Sequence, residues 1–142
     1  MTSEVIRLLE VRDVPLSVDE VFAAVFDHAA GGVALFVGTV RSLDGGRGVT
    51  ALGYSAHPSA VAELRTVAEE VVAAHPVLAL AAVHRVGDLA VGDLAVVVGV
   101  ACAHRGDAFS ACRALIDELK SRVPIWKHQA FDDGEDEWVG LP

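Results

Sequence analysis

A chain of 142 residues, 53% of them hydrophobic, is long enough to bury a core as one domain, and no run reaches the roughly 18 uninterrupted apolar residues that span a bilayer. The formal net charge of −9 repels nucleic-acid phosphates and anionic lipid, so an anionic ligand has to be caught by a local group of cations. The start, "MTSEVIRLLEVRDV", has acids at Glu4 and Glu10 and no basic segment followed by an apolar one, so it does not read as a signal peptide, and a cytoplasmic location is expected.

Residues 5–11, "VIRLLEV", suit a first strand. Ser17 with Glu20 forms a capping-box signature for a helix running to Ala29, ended by Gly31 and Gly32. "VALFVGTV" (33–40) is apolar on both faces, as a buried strand is, and delivers Arg41 into the glycine-rich loop "RSLDGGRG". That loop lacks the Lys-Ser/Thr of a P-loop and any GxGxxG spacing, so it reads as a mobile turn before a second strand, "VTALGYSA". After Pro58, the apolar spacing of Val61, Leu64, Val67, Ala68, Val71 and Val72 predicts a core-facing helix. "LALAAVHRV" and "LAVVVGVACA" are strands joined by the turn-rich "GDLAVGD". Asp107 is the expected N-cap of a helix to Arg122, which Pro124 follows. "IWKHQAF", the acidic turn "DDGEDE" and "WVG" read as a closing hairpin. Helices separated by pairs of strands predict an α+β sandwich with mainly antiparallel pairing.

The cations carry the chemical signal. The chain has nine arginines and two lysines, and both lysines, Lys120 and Lys127, fall in "LKSRVPIWKHQAF" around a Pro and a Trp. Where arginine serves for charge alone, a retained lysine points to an amine that can shed its proton and act as nucleophile or acid/base; the plainer reading is a helix-end cap and a strand decoration. In "AHRGD", His104 and Arg105 stand where a strand gives way to a helix, a place suited to an anion; the alternative is an exposed loop in which Arg105 pairs with Asp107. Arg41, at a strand exit, is a third candidate beside its reading as a solvated loop residue. His84 and Arg85 read as a satisfied strand-end pair. His84, His104, His128 and Cys102 lack metal-ligand spacing, and Cys102 and Cys112, on apolar segments without a CxxC, read as buried thiols rather than a disulfide or a thiol site.

Taken together, "FVGTVR", "VHRVGDL", "VGVACAHRGDAF" and "LKSRVPIWKHQAF" resemble the catalytic (large) subunits of molybdopterin synthase, the MoaE family, over nearly the whole chain. The resemblance implies an α/β hammerhead fold in a single domain, residues 1–142. It also implies a homodimer within a heterotetramer, each subunit taking one ubiquitin-like, MoaD-like small subunit whose C-terminal Gly-Gly carries a thiocarboxylate. The implied reaction converts cyclic pyranopterin monophosphate to molybdopterin by adding two sulfurs, with no metal or organic cofactor because sulfur arrives on the partner. On matching positions Lys120 is the central catalytic amine and Lys127 a second essential cation. Arg41, His104 and Arg105 bind the pterin phosphate, while Thr39, Val40, His128 and Gln129 line the same pocket. Where the family usually has a basic residue and Glu after the second lysine, this chain has His128 and Gln129. Two other readings stand beside this one: a non-catalytic paralogue that keeps the partner's docking groove, and a binding module for another phosphorylated heterocycle.

Overall fold

The computed structural model describes residues 2–140. A short helix, α1 (Thr2–Val5), leads into β1 (Ile6–Arg12), α2 (Val18–Ala24), β2 (Gly32–Thr39), β3 (Leu43–Asp44) and β4 (Arg47–Ala56). Then come α3 (Ala60–Ala74), β5 (Val77–Arg85), β6 (Gly87–Leu89), β7 (Leu94–Cys102), α4 (Arg105–Arg122), β8 (Ile125–Phe131) and β9 (Asp136–Gly140). One sheet has the order β1-β5-β7-β2, with only β1 and β5 parallel; the second runs β3-β4-β8-β9, with β6 on β4. The mainly antiparallel α+β architecture expected from the sequence is the one observed.

The long helices form because their apolar residues recur at helical spacing. Leu64, Val67, Ala68 and Val71 of α3, and Ala108, Ala111, Cys112, Leu115, Ile116 and Leu119 of α4, are all buried. Both helices lie on one face of the first sheet, over Leu80, Val98 and Val100. The other face takes α2, whose Val21 and Val25 pack with Ala79, Ala81, Val97 and Ala101. A small third core of Val40, Leu52, Leu89 and Ala95, with Tyr54 against it, joins the two sheets.

Four local expectations are corrected. The helix predicted to reach Ala29 stops at Ala24: Arg7 donates to the carbonyl of Phe26 at 2.7 Å and to Asp27 at 2.8 Å, while Asp27 accepts from the Ala29 amide, so other partners take over from the helix. Strand β2 is not buried but is the edge of its sheet, with Val33, Leu35 and Phe36 more than one-third exposed. Residue 107 does not cap α4; His104 is the N-cap, and Asp107 sits in the first turn, where its charge suits the helix dipole. The glycine-rich loop is a tight hairpin: Leu43 and Asp44 pair with Gly48 and Arg47 around Gly45 and Gly46, both at positive φ.

Gly99 sets how closely α2 approaches the sheet, because a Cβ there would lie 2.8 Å from Leu35 Cδ2 and 3.1 Å from Val21 Cγ1. Gly99→Ala is therefore expected to cost about 1–3 kcal/mol through overpacking. Denaturant unfolding measures it, and an unchanged midpoint would mean that α2 can shift at no cost.

Candidate active site

The last turn of α4 and the first residues of β8 meet across the short link Val123–Pro124. Leu119 and Val123 are buried, the Val123 amide donates to the Leu119 carbonyl at 3.0 Å, and the Ile125 amide donates to the Val123 carbonyl at 2.9 Å. Arg122 grips Glu70 of α3 through two contacts of 2.7 and 2.9 Å, fixing the helix end. On β8 the side chains alternate, so Lys127 and Gln129 share one face while Trp126 and His128 take the other. The register of β4 with β8 sets Tyr54 opposite Lys127.

These constraints bring Lys120 and Lys127 into one cleft of about 200 Å³, lined also by Tyr54, His84, Leu119, Val123, Ile125, Val139 and Gly140. Among the described residues no carboxylate lines it. Seven of the nine arginines form ion pairs, and neither lysine does among the described residues. The Lys120 amine is held below its ordinary pKa, chiefly because the surrounding protein disfavours the ammonium and secondly because Lys127 repels it. Burial pushes the Tyr54 phenol up. It pushes His84 down to about 4, against the bond its ring makes to the Arg85 carbonyl and with help from the charge on Lys120.

The other sequence-predicted residues fall into three places. Gln129 is buried and donates to Asp44 at 2.7 Å and Glu137 at 2.8 Å; Asp44 is also paired with Arg41 at 3.3 Å. The Gln129 bond, followed by the charges of Lys127 and Arg41, holds the Asp44 carboxyl below its usual range, so Arg41 stands on the lysine side of the molecule. Val40 is buried in the small core that Tyr54 flanks, and Thr39 ends β2 exposed beside it. His128, facing away from Lys127, bonds Asp136 at 2.7 Å and stacks on Trp138 at 4.4 Å. His104 and Arg105 are at the opposite end of α4, over Gly31 and Gly32, so about 22 Å of helix rise separates Arg105 from Lys120 within one chain.

Two cleft residues were absent from the sequence-based set. His84 reads as half of a strand-end pair, and Arg85 does fill that role, bonding Asp93 at 3.3 Å, but His84 points from the same strand into the lysine cleft. Tyr54 enters through the β4–β8 register. Alternation along "VHR" separates the two side chains; which face meets a lysine is a tertiary fact. Both cysteines are free and buried, with the Cys112 thiol pushed up to about 11 by burial. Among the described residues no group of three or more His, Cys, Asp and Glu side chains is placed to hold a metal, and no helix is long and apolar enough to cross a membrane.

Fold and cleft together define a class: an α+β domain that brings two amines, one held below its ordinary pKa, into one cleft. The family description "MoaE protein" matches residues 11–122. The chain is 44% identical over 131 residues to molybdopterin synthase catalytic subunit 1 of Mycobacterium tuberculosis, covering 90% of this chain and 87% of that one. It is 39% identical over 129 residues to the molybdopterin synthase catalytic subunit of a Nostoc species, covering 89% and 78%. The X-ray crystal structure of molybdopterin synthase from Staphylococcus aureus superposes with a TM-score of 0.86 at 30% identity, covering 94% of this chain and 97% of that one. The chain belongs to the MoaE family.

The neutral, buried His84 has a consequence for stability. An unfolded histidine takes up its proton near pH 6.5, whereas the folded one resists until about 4, so the unfolded state binds more protons between those values and stability falls as pH drops through that window. At about 1.4 kcal/mol per pH unit the loss reaches roughly 3 kcal/mol. Comparing unfolding free energies of the wild type and His84→Gln at several pH values checks this: the slope is expected to flatten in the variant, and equal slopes would place the acid sensitivity elsewhere.

Proposed function

We propose that this chain is the catalytic subunit of a molybdopterin synthase, moving sulfur from the thiocarboxylated C-terminus of a ubiquitin-like small subunit to cyclic pyranopterin monophosphate to form the molybdopterin dithiolene. The observation that carries this reading is the cleft in which Lys120 and Lys127 converge, lined among the described residues by no carboxylate. An anionic tail or phosphate entering it meets two amines that form no ion pair among the described residues, and a lowered pKa favours the neutral amine that a nucleophile or acid/base needs. Lys120 is the working amine and Lys127 the second essential cation.

The small subunit's seat adjoins the cleft. A hollow of about 570 Å³ lined by Ser55, Trp126, Trp138, Val139 and Gly140 shares its last two residues with the lysine cleft, and Trp138 is 65% exposed. An apolar shelf of this kind suits a partner whose narrow Gly-Gly tail must reach past it to Lys120. Free, buried cysteines fit the reducing cytoplasm, where we place the protein, and residues 1–142 act as one MoaE-like domain.

The pterin phosphate requires Arg41, His104 and Arg105, with Thr39, Val40, His128 and Gln129 near it. Because α4 holds His104 and Arg105 about 22 Å of rise from Lys120, the two cation groups meet most simply across a two-fold axis, each site taking Lys120 and Lys127 from one subunit and His104 and Arg105 from its mate. Sulfur then needs no metal or organic cofactor, since it arrives on the partner.

Reconstitution with thiocarboxylated small subunit and cyclic pyranopterin monophosphate tests the reaction: molybdopterin is the expected product. Partner binding without product would favour a non-catalytic paralogue, and no partner binding a module for another phosphorylated heterocycle. Lys120→Arg is expected to lower turnover at least about a hundredfold while partner binding survives, because arginine keeps the charge but not the titratable amine. Near-normal turnover would remove the acid/base or nucleophile role. Lys127→Arg is expected to be milder, and equal loss in the two would show that amine geometry matters at both. A hybrid dimer of one Lys120→Ala and one Arg105→Ala subunit, each inactive as a homodimer, is expected to recover about half of the wild-type rate. No recovery would overturn the shared site.

A further inference from the structure

His84 has no task in the reaction as described, yet it is 6% exposed and lines the same cleft as both lysines. Its Nδ1 lies 2.7 Å from the Arg85 carbonyl oxygen, and a carbonyl only accepts. Nδ1 therefore carries the proton, which leaves Nε2 as a bare lone pair, and among the described residues no hydrogen bond engages Nε2. The ring's plane is set by Tyr54, which meets it edge-on with centroids 4.9 Å apart and an interplanar angle of 78°. Among the described residues, the titratable groups that face His84 are Tyr54 from β4, Lys120 from α4 and Lys127 from β8, and no acid stands among them. The rest of the wall is apolar side chain and glycine, so apart from the Tyr54 hydroxyl the imidazole is the one side-chain acceptor the cleft offers to an amine.

We propose that His84 is a positioning residue for Lys120: its Nε2 lone pair, turned into the cleft by the Nδ1–H bond to the Arg85 carbonyl and left open in this structure, takes a hydrogen bond from the Lys120 amine when the flexible lysine chain turns toward it, and so aims that amine at the incoming ligand. The proposal rests on reading Lys120 as the working amine. A carboxylate in this place would also orient the amine, but it would pair with the ammonium, raise its proton affinity and occupy the charge meant for the ligand. A neutral imidazole orients without neutralising. It is also incapable of becoming a cation at working pH, since burial holds its ring nitrogen unprotonated down to about 4.

Two substitutions separate this role from simple packing. His84→Leu keeps an apolar group of similar bulk and removes the lone pair, whereas His84→Gln returns an acceptor near the place of Nε2. The first readout needs no catalysis: the pH dependence of acetylation of the Lys120 amine by acetic anhydride, followed residue by residue by mass spectrometry on the full chain. An acceptor stabilises an ammonium more than an amine, so His84→Leu is expected to lower the Lys120 midpoint by about half a unit to one unit, with His84→Gln near wild type. In the reconstituted synthase, His84→Leu is expected to lower kcat about tenfold to a hundredfold, with KM and small-subunit affinity within about twofold, and His84→Gln to recover most of the loss. If the Leu variant does not fold, His84→Met, which fills similar space with only a weak thioether acceptor, takes its place. An unmoved or raised midpoint in the acceptor-free variant, or equal impairment of the Gln variant in both readouts, overturns the proposal. Should the wild type make no molybdopterin, the reaction reading falls while the acetylation profile still decides the role of His84.

Discussion

The repulsion between two ammonium groups in a partly dry cleft is the constraint around which this molecule is arranged. Lys120 and Lys127 left in water would move apart and stay charged. They are kept together because α4 is anchored along its whole length by Ala108, Ala111, Leu115 and Leu119, and because β8 is tied to β4 from Val49 to Ala56. The link between them is short and bonded at both ends, with the Pro124 carbonyl accepting from the His57 amide at 3.0 Å. Buried apolar area therefore fixes where two amines stand, at a cost to the protonation of Lys120 that the rest of the core offsets.

The division between arginine and lysine follows from the same constraint. Arg7, Arg12, Arg47, Arg85 and Arg122 hold carboxylates in contacts that tie separate segments together, such as Arg47 to Asp133 and Arg122 to Glu70. A guanidinium remains charged under any of these conditions and bonds in a planar fork, which suits fastening. An ammonium sheds its proton when desolvated, which suits chemistry. With a net charge of −9, the surface repels anions everywhere except where cations lack carboxylate partners.

Much of this was legible in the order of residues, and what was not has physical reasons. Helices α3 and α4 declare themselves because a 3.6-residue period over 15 or more residues has no competing explanation. The lysine pair was visible as a departure from the chain's own use of arginine. Strand β2 was misjudged because apolar residues on both faces describe a buried strand and an uncovered edge equally well, and only the topology distinguishes them. Strands β3 and β6, of two and three residues, are too short to leave a periodic trace, and the end of α2 depended on Arg7, seventeen residues before Ala24 in the chain. His128 and Gln129 looked like neighbours in a pocket, but adjacency along a strand places them on opposite faces. His84 stayed hidden because its meaning comes from Lys120, 36 positions later, and no local pattern reports that distance.

A cleft built on repulsion is complementary to something absent from the protein itself. Because neither lysine has an ion-pair partner among the described residues, a negative group placed between the amines would offset their repulsion. Such an anion would raise the proton affinity that burial and, secondly, Lys127 have lowered, so its binding would be coupled to proton uptake by Lys120. A neutral acceptor, the role proposed for His84, would keep the amine's direction through that change without adding a negative charge of its own, which a carboxylate would. What distinguishes the cleft is thus less any single side chain than the absence of acids among the described residues that line it, in a chain rich in them.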